Sequence, residues 1–216
     1  MKPITGQAIS FAQLRKEGNS RKAIRDMLAR LLIFPTPFKG IYYIPTQDER
    51  GGWLLKRPEL ALKQAIAIYL GTDNFYYSCK TAEEHFGIDW HRYGQVHVVN
   101  PVRSGRINLK ERIERNRKKK TWRAKQVARI LEFYGNEIVF HRADEESIKK
   151  AKLKRTPFGD YALPSQIKKD RKRFREKTND ASNGIALSIE KAGKAHIEKH
   201  GFRKMSLREL DRLTKK

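Results

Sequence analysis

Residues 10–45 read SFAQLRKEGNSRKAIRDMLARLLIFPTPFKGIYYIP, and this stretch decides how the amino-terminal part folds. Ser10 with Gln13 three residues later has the form of a capping box, which predicts a helix from Phe11 to Lys16 or Glu17. Gly18-Asn19 supplies a turn, and Ser20 can cap a second helix. In that second helix Ile24, Met27, Leu28, Leu31 and Leu32 form an apolar stripe at helical spacing, and Pro35 and Pro37 end it. Gly40-Ile41-Tyr42-Tyr43-Ile44-Pro45 reads as a strand. Its expected hairpin partner is Gly52-Trp53-Leu54-Leu55-Lys56, across the polar turn Thr46 to Gly51. Helix, tight turn, helix and hairpin is the order of a winged helix-turn-helix, although only nine residues precede Ser10, too few for a full first helix.

In such a unit the second helix enters the major groove by its amino-terminal end. The residues there are Ser20, Arg21, Lys22 and Arg25, whose donors suit guanine O6/N7 and phosphates alike; Arg50 lies on the expected wing turn.

Net charge points the same way. Lys and Arg number 48 against 24 acidic residues, a formal +24, and a polyanion is the natural partner of such a chain. The excess is uneven: residues 1–57 carry +7, residues 58–102 carry −2, and residues 103–216 carry +19. The middle stretch therefore reads as a packed or protein-facing module between nucleic-acid-facing ones. Further basic candidates are Arg103, Arg106, Arg117, Lys118, Lys119, Lys120, Arg123, Lys168, Lys169, Arg171 and Arg173. No window approaches the ~18 uncharged apolar residues of a membrane span, and no secretory h-region follows Met1. A cytoplasmic protein with no membrane partner is expected.

Outward from the opening stretch, Pro58 to Leu70 predicts a broadly apolar helix stopped by Gly71. Asn74 to Ser78 reads as a short buried strand, Thr81 to Phe86 as a helix stopped by Gly87, and Gln95 to Asn100 as a β-branched strand. Trp122 to Tyr134 predicts a helix and Glu137 to His141 a strand; Ile138-Val139-Phe140 is expected to complete the middle sheet. Thr156 to Asp160 has turn chemistry. Near the carboxy terminus come a break at Asn183-Gly184, a helix over Ile185 to His200, and a second capping box at Ser206 and Glu209. The expected class is α+β. A winged helix-turn-helix domain spans 1–57, a small α/β domain 58–143, and a basic, mainly helical region 144–216.

Catalytic and metal chemistry find little support. The single cysteine, Cys79, excludes an intramolecular disulfide and any multi-cysteine zinc module. Cys79, His85, His91 and His97 are spaced by six, which matches no zinc pattern, so neither metal nor cofactor is expected. There is no phosphate-binding Gly-rich loop and no nucleophile-elbow pentapeptide. Asp73, Glu83 and Lys80 are the residue types of a metal-dependent nuclease, which stays as one alternative. Another is an RNA-binding protein using the basic 103–177 region, where Trp122 and Phe174 interleave with charge.

Over residues 10–100 the chain resembles the AbiEi-type antitoxin family of winged-helix regulators from type IV toxin–antitoxin systems. The resemblance rests on Gly40 to Tyr42 as the wing strand, and on Phe75-Tyr76-Tyr77-Ser78 entering a helix with Ala82. It continues with His85 and Gly87, separated here by Phe86 where the family has a His-Gly pair, and with the valine-rich strand Val96 to Val99. The resemblance implies a non-enzymatic repressor that binds operator DNA of its own operon and counteracts a nucleotidyltransferase-like toxin.

Overall fold

A computed structural model of the chain describes residues 5–52, 54–89 and 94–174. The expected break at 183–184, the helix over 185–200 and the capping box at 206–209 lie outside the described residues.

Strand β1 (Gln7–Ser10) leads into α1 (Phe11–Lys16) and α2 (Arg21–Ala29), followed by β2 (Phe34–Pro35) and β3 (Ile41–Ile44). The capping box forms as read: Ser10 Oγ accepts from Gln13 N at 3.1 Å and Gln13 Oε1 from Ser10 N at 2.9 Å. The three strands form an antiparallel sheet in the order β1-β3-β2. Its two faces are covered separately, as period-two alternation requires. Tyr42 and Ile44 face a small core of Ile9, Leu14, Ile24 and Ile33 beneath α1 and α2. Ile41 and Tyr43 face a larger core containing α4 (Pro58–Leu70), and Gln64 on α4 accepts from Ala8 N at 2.8 Å.

Two expectations are corrected here. First, α2 stops at Ala29: Leu31 adopts a left-handed conformation (φ 53°), and Leu32 N donates to Met27 O. The turn carries Leu31 and Ile33 into the two cores, an arrangement a continuous helix could not supply. Second, residues 52–56 are not the partner of β3, because 47–52 form α3 (Gln47–Gly52). Thr46 and Glu49 make a reciprocal cap: Thr46 Oγ1 accepts from Glu49 N at 3.3 Å, and the Glu49 carboxylate accepts from Thr46 N at 2.9 Å. Buried Glu49 also accepts from Tyr43 Oη and from Lys56 N at 3.0 Å, which ties the segment after α3 back to the sheet. The pair that forms is β2–β3, with residues 36–40 as its loop, and Arg50 sits on a helix.

The second sheet is mixed and six-stranded, with order β6-β7-β5-β4-β9-β8. Its strands are β4 (Tyr76–Tyr77), β5 (Gln95–Asn100), β6 (Gly105–Asn108), β7 (Glu137–Arg142), β8 (Leu153–Thr156) and β9 (Gly159–Ala162). β7 lies parallel to β5, Val96 opposite Ile138 and Val98 opposite Phe140, so Ile138 to Phe140 join this sheet as an interior strand, and β9 and β8, beyond residue 143, extend it on the far side of β4. β4 is parallel to β9 on one side and antiparallel to β5 on the other. Gly159 makes the β4–β9 approach possible, since a Cβ there would stand 2.5 Å from the Tyr77 ring. Helix α5 (Cys79–His85) follows β4; α6 (Lys110–Arg117) and α7 (Trp122–Glu132) connect β6 to β7; α8 (Glu145–Lys149) precedes β8, and α9 (Pro164–Phe174) closes the described chain.

Residues 144–174 contribute the β8–β9 hairpin as well as α8 and α9, and the rest of the region expected to be mainly helical lies outside the described residues. The larger core runs without interruption from Leu31 to Ile167, through positions 57 and 143. Met1–Phe174 forms one compact unit. No helix among the described residues is long and apolar enough to cross a membrane.

Candidate nucleic-acid interface and buried polar centre

Helix α2 is amphipathic, and its inward residue Ile24 is 1% exposed. Arg21, Lys22 and Arg25 point outward, and among the described residues none of the three has a carboxylate within ion-pair distance. Ser20 spends its hydroxyl oxygen on the cap, accepting from Ala23 N at 3.0 Å. Arg21 and Arg25 flank a shallow depression floored by Phe11, Ile24, Leu28 and Tyr42. A second depression adjoins it at Leu28 and Tyr42, walled by residues 35–41 and Arg112. Here Thr36 Oγ1 donates to Ile41 O at 2.8 Å and Arg112 Nη1 donates to Thr36 O at 3.0 Å. Arg112 thereby fixes the 36–40 loop, which carries exposed Lys39, and ties it to α6.

From that contact α6 leads to Lys118, Lys119 and Lys120, all exposed at the turn into α7. Arg123 and Trp122 are exposed just beyond, Trp122 to 54%. Thr121 caps α7 by accepting from Ala124 N. Arg117 pairs with Glu132 at 3.0 Å, Arg106 with Glu137 at 3.6 Å, and the Arg103 guanidinium lies 4.7 Å over the Tyr69 ring. Lys168 and Lys169 are exposed on α9. Arg171 turns inward to Glu83, and Arg173 pairs with Asp144 at 2.9 Å. Basic residues that the sequence groups together thus divide into outward-facing ones on α2, the α6–α7 turn and, as Lys168 and Lys169, α9, and others engaged by carboxylates or an aromatic ring.

Where β4 passes into α5, a polar centre lies inside the molecule. Asp170, 2% exposed, accepts from Ser78 Oγ at 2.6 Å, from Tyr76 Oη at 3.1 Å and from Gln166 Nε2 at 2.8 Å. Beside it Glu83 meets Arg171. Cys79, fully buried, opens α5 in a left-handed conformation (φ 50°) that non-glycine residues rarely adopt. On the sheet, His97 and His141 are also buried, with His97 Nδ1 and His141 Nε2 3.0 Å apart. One donor atom from each of Cys79, His97 and His141 lies within 4.8 Å of the others. Burial pushes His97 down to about 3 and His141 down to about 4, helped for His97 by the His141 ring and for His141 by Arg106. Both imidazoles are therefore neutral near pH 7. The Thr81 hydroxyl accepts from His97 N at 2.7 Å, and the Phe174 ring stacks on His141.

Reading the sequence by spacing missed this cluster, since His97 and His141 follow Cys79 by 18 and 62 residues on separate strands. The spacing of six does not assemble: His85 stacks on Tyr161 with centroids 3.8 Å apart, and His91 lies outside the described residues. The nuclease constellation does not gather either. Asp73 is exposed in the loop before β4, Glu83 is held by Arg171, and Lys80 donates to Gln95 Oε1 at 3.0 Å. Comparison with protein-family models, curated proteins and solved structures finds no match to this chain.

Proposed function

We propose that this chain is a non-enzymatic regulator that binds double-stranded DNA through an amino-terminal winged helix-turn-helix. The observation that carries the reading is the order β1-α1-α2-β2-β3 with strands arranged β1-β3-β2, which sets the exposed Arg21, Lys22 and Arg25 on the helix preceding the β2–β3 pair. That arrangement suits a recognition helix in the major groove with a neighbouring loop on the backbone. The 36–40 loop with Lys39 then serves as the wing, and Lys118 to Lys120 add phosphate contacts. Helix α4, later in the chain, covers the face of the small sheet opposite α1 and α2. By the resemblance to AbiEi-type antitoxins, the DNA is the operator of its own operon and the protein partner a nucleotidyltransferase-like toxin.

Selection from a random duplex library, followed by titration of the selected duplex against salt, tests the reading. Six to ten phosphate contacts give a log–log slope of about −5 to −9, because each neutralised phosphate releases counterions. A slope shallower than about −3, or no enriched sequence, overturns it. A second reading, single-stranded RNA bound by the α6–α7 turn, is favoured by Trp122, whose exposed ring beside Arg123 offers a stacking platform. Preference for single-stranded RNA over the selected duplex selects that reading.

A further inference from the structure

Cys79, His97 and His141 come from three elements that pack as neighbours: the start of α5, β5 and β7. In the parallel register His97 stands opposite Val139 and His141 opposite Val99, so the two imidazoles project from the same face of the sheet. We propose that Cys79, His97 and His141 form a zinc site, binding one Zn²⁺ through a thiolate and two neutral imidazoles, with water in the fourth position.

Donor chemistry comes first. One sulfur and two imidazole nitrogens are a borderline-soft set that suits zinc and excludes calcium and magnesium, which take oxygen. Geometry agrees. With Zn–N near 2.0 Å and Zn–S near 2.3 Å, tetrahedral donors stand roughly 3.3–3.6 Å apart. The facing imidazole nitrogens are at 3.0 Å and the whole set lies within 4.8 Å, so small side-chain rotations bring all three onto one ion. Without metal, the two rings share a single hydrogen along the 3.0 Å line. On binding, the ring that donates along this line moves its proton to its other nitrogen, so that both facing nitrogens offer lone pairs to the ion, and the Cys79 thiol loses its proton to solvent.

Backbone strain is an independent indication. A cysteine at φ 50° persists only where its surroundings over-determine it, and such residues gather at functional sites. Here the strained turn sets Cys79 against the two histidines. Of the three cations that face His97, Arg171 is paired with Glu83 and Arg106 with Glu137, while Lys80 donates to the neutral Gln95 amide and keeps its charge. A thiolate on Cys79 then offsets half the charge of the ion. The site would pin α5 to the centre of the sheet, next to the Ser78–Asp170 and Glu83–Arg171 links to α9.

The test uses the full chain, stripped with a chelator and titrated with Co²⁺ as a spectroscopic probe. One equivalent should produce tetrahedral visible bands and a near-ultraviolet thiolate-to-cobalt band, both displaced by Zn²⁺, and Zn²⁺ should raise Tm. Cys79→Ser should lose the near-ultraviolet band and weaken Zn²⁺ binding more than about tenfold, with circular dichroism confirming the fold. His85→Ala, outside the cluster, should keep both. A folded wild-type chain that shows neither the thiolate band nor a Zn²⁺-dependent Tm overturns the proposal. So does undiminished Zn²⁺ affinity in folded Cys79→Ser.

Discussion

Helices α2 and α9 are both amphipathic and basic, of nine and eleven residues, and each buries an isoleucine, Ile24 in one and Ile167 in the other. Their charges are used differently. On α2 the arginines and lysine stand in solvent; on α9 the lysines do too, but Arg171 is drawn in to Glu83, Arg173 pairs with Asp144, and Asp170 gathers hydroxyls from Tyr76 and Ser78. The difference arises from the neighbours. α9 packs against α5, which presents Glu83, whereas α2 packs against an apolar core of Ile9, Leu14, Ile33 and Ile44. Density of positive charge along a chain therefore does not say which cations stand in solvent. A carboxylate on a neighbouring element draws an arginine in, since a buried arginine without one leaves an uncompensated charge.

The largest expected effect breaks the comparison at α9. A chain ending at residue 143 lacks α8, β8, β9 and α9, and with them one of the two partners of β4 and the core residues Ile148, Tyr161, Ala162 and Ile167. It should show no cooperative melting transition, whereas a chain ending at residue 174 should melt cooperatively. Equal melting of the two would show that α9 is as peripheral as α2.

Next in size is Arg171→Ala, which strands Glu83 at a position where the two side chains are 19% and 9% exposed. A loss of about 3–5 kcal/mol in unfolding free energy is expected. Adding Glu83→Gln should restore part of it, because the lone buried charge is then gone. Denaturant titration of the single and double variants measures both.

Arg21→Ala and Arg25→Ala should each cost about 1–3 kcal/mol on a selected duplex and relax its preference, with unfolding free energy changed by less than about 0.5 kcal/mol. Equal losses on selected and random duplexes would reduce these residues to phosphate contacts. The smallest effect sharpens the same point. Ser20→Ala removes the cap at the start of α2 and should lower stability by about 1 kcal/mol. Any loss of duplex affinity in this variant should track fraying of the helix, since the Ser20 oxygen already accepts from Ala23 N; circular dichroism alongside the titration separates the two.

Much of the local structure was legible. The caps at Ser10 and Ser20, the Pro58 start and Gly71 stop of α4, and the strand Gln95–Asn100 all rest on interactions within a few residues, which a linear reading captures. Residues 47–52 were not, because α3 contains Gly51 and Gly52 and no apolar stripe; only the Thr46–Glu49 reciprocal cap marks it. Strands β6 and β8 escaped for a related reason. They are short edge strands poor in β-formers, Gly-Arg-Ile-Asn and Leu-Lys-Arg-Thr, where pairing with β7 and β9 outweighs intrinsic preference.

Composition, caps and periodicity by themselves determined that this chain is basic, mixed α and β, and built at its amino terminus from two short capped helices and a strand, because such signals act over four or fewer residues. The tertiary structure alone decided which strand pairs with β3, that one core runs from Leu31 to Ile167, which arginines are held by carboxylates, and that Cys79, His97 and His141 meet. Those outcomes depend on contacts between residues far apart in the chain. Their closure is governed by burial of the whole apolar surface and by the cost of leaving a buried charge or polar group unpaired, and no local spacing encodes either.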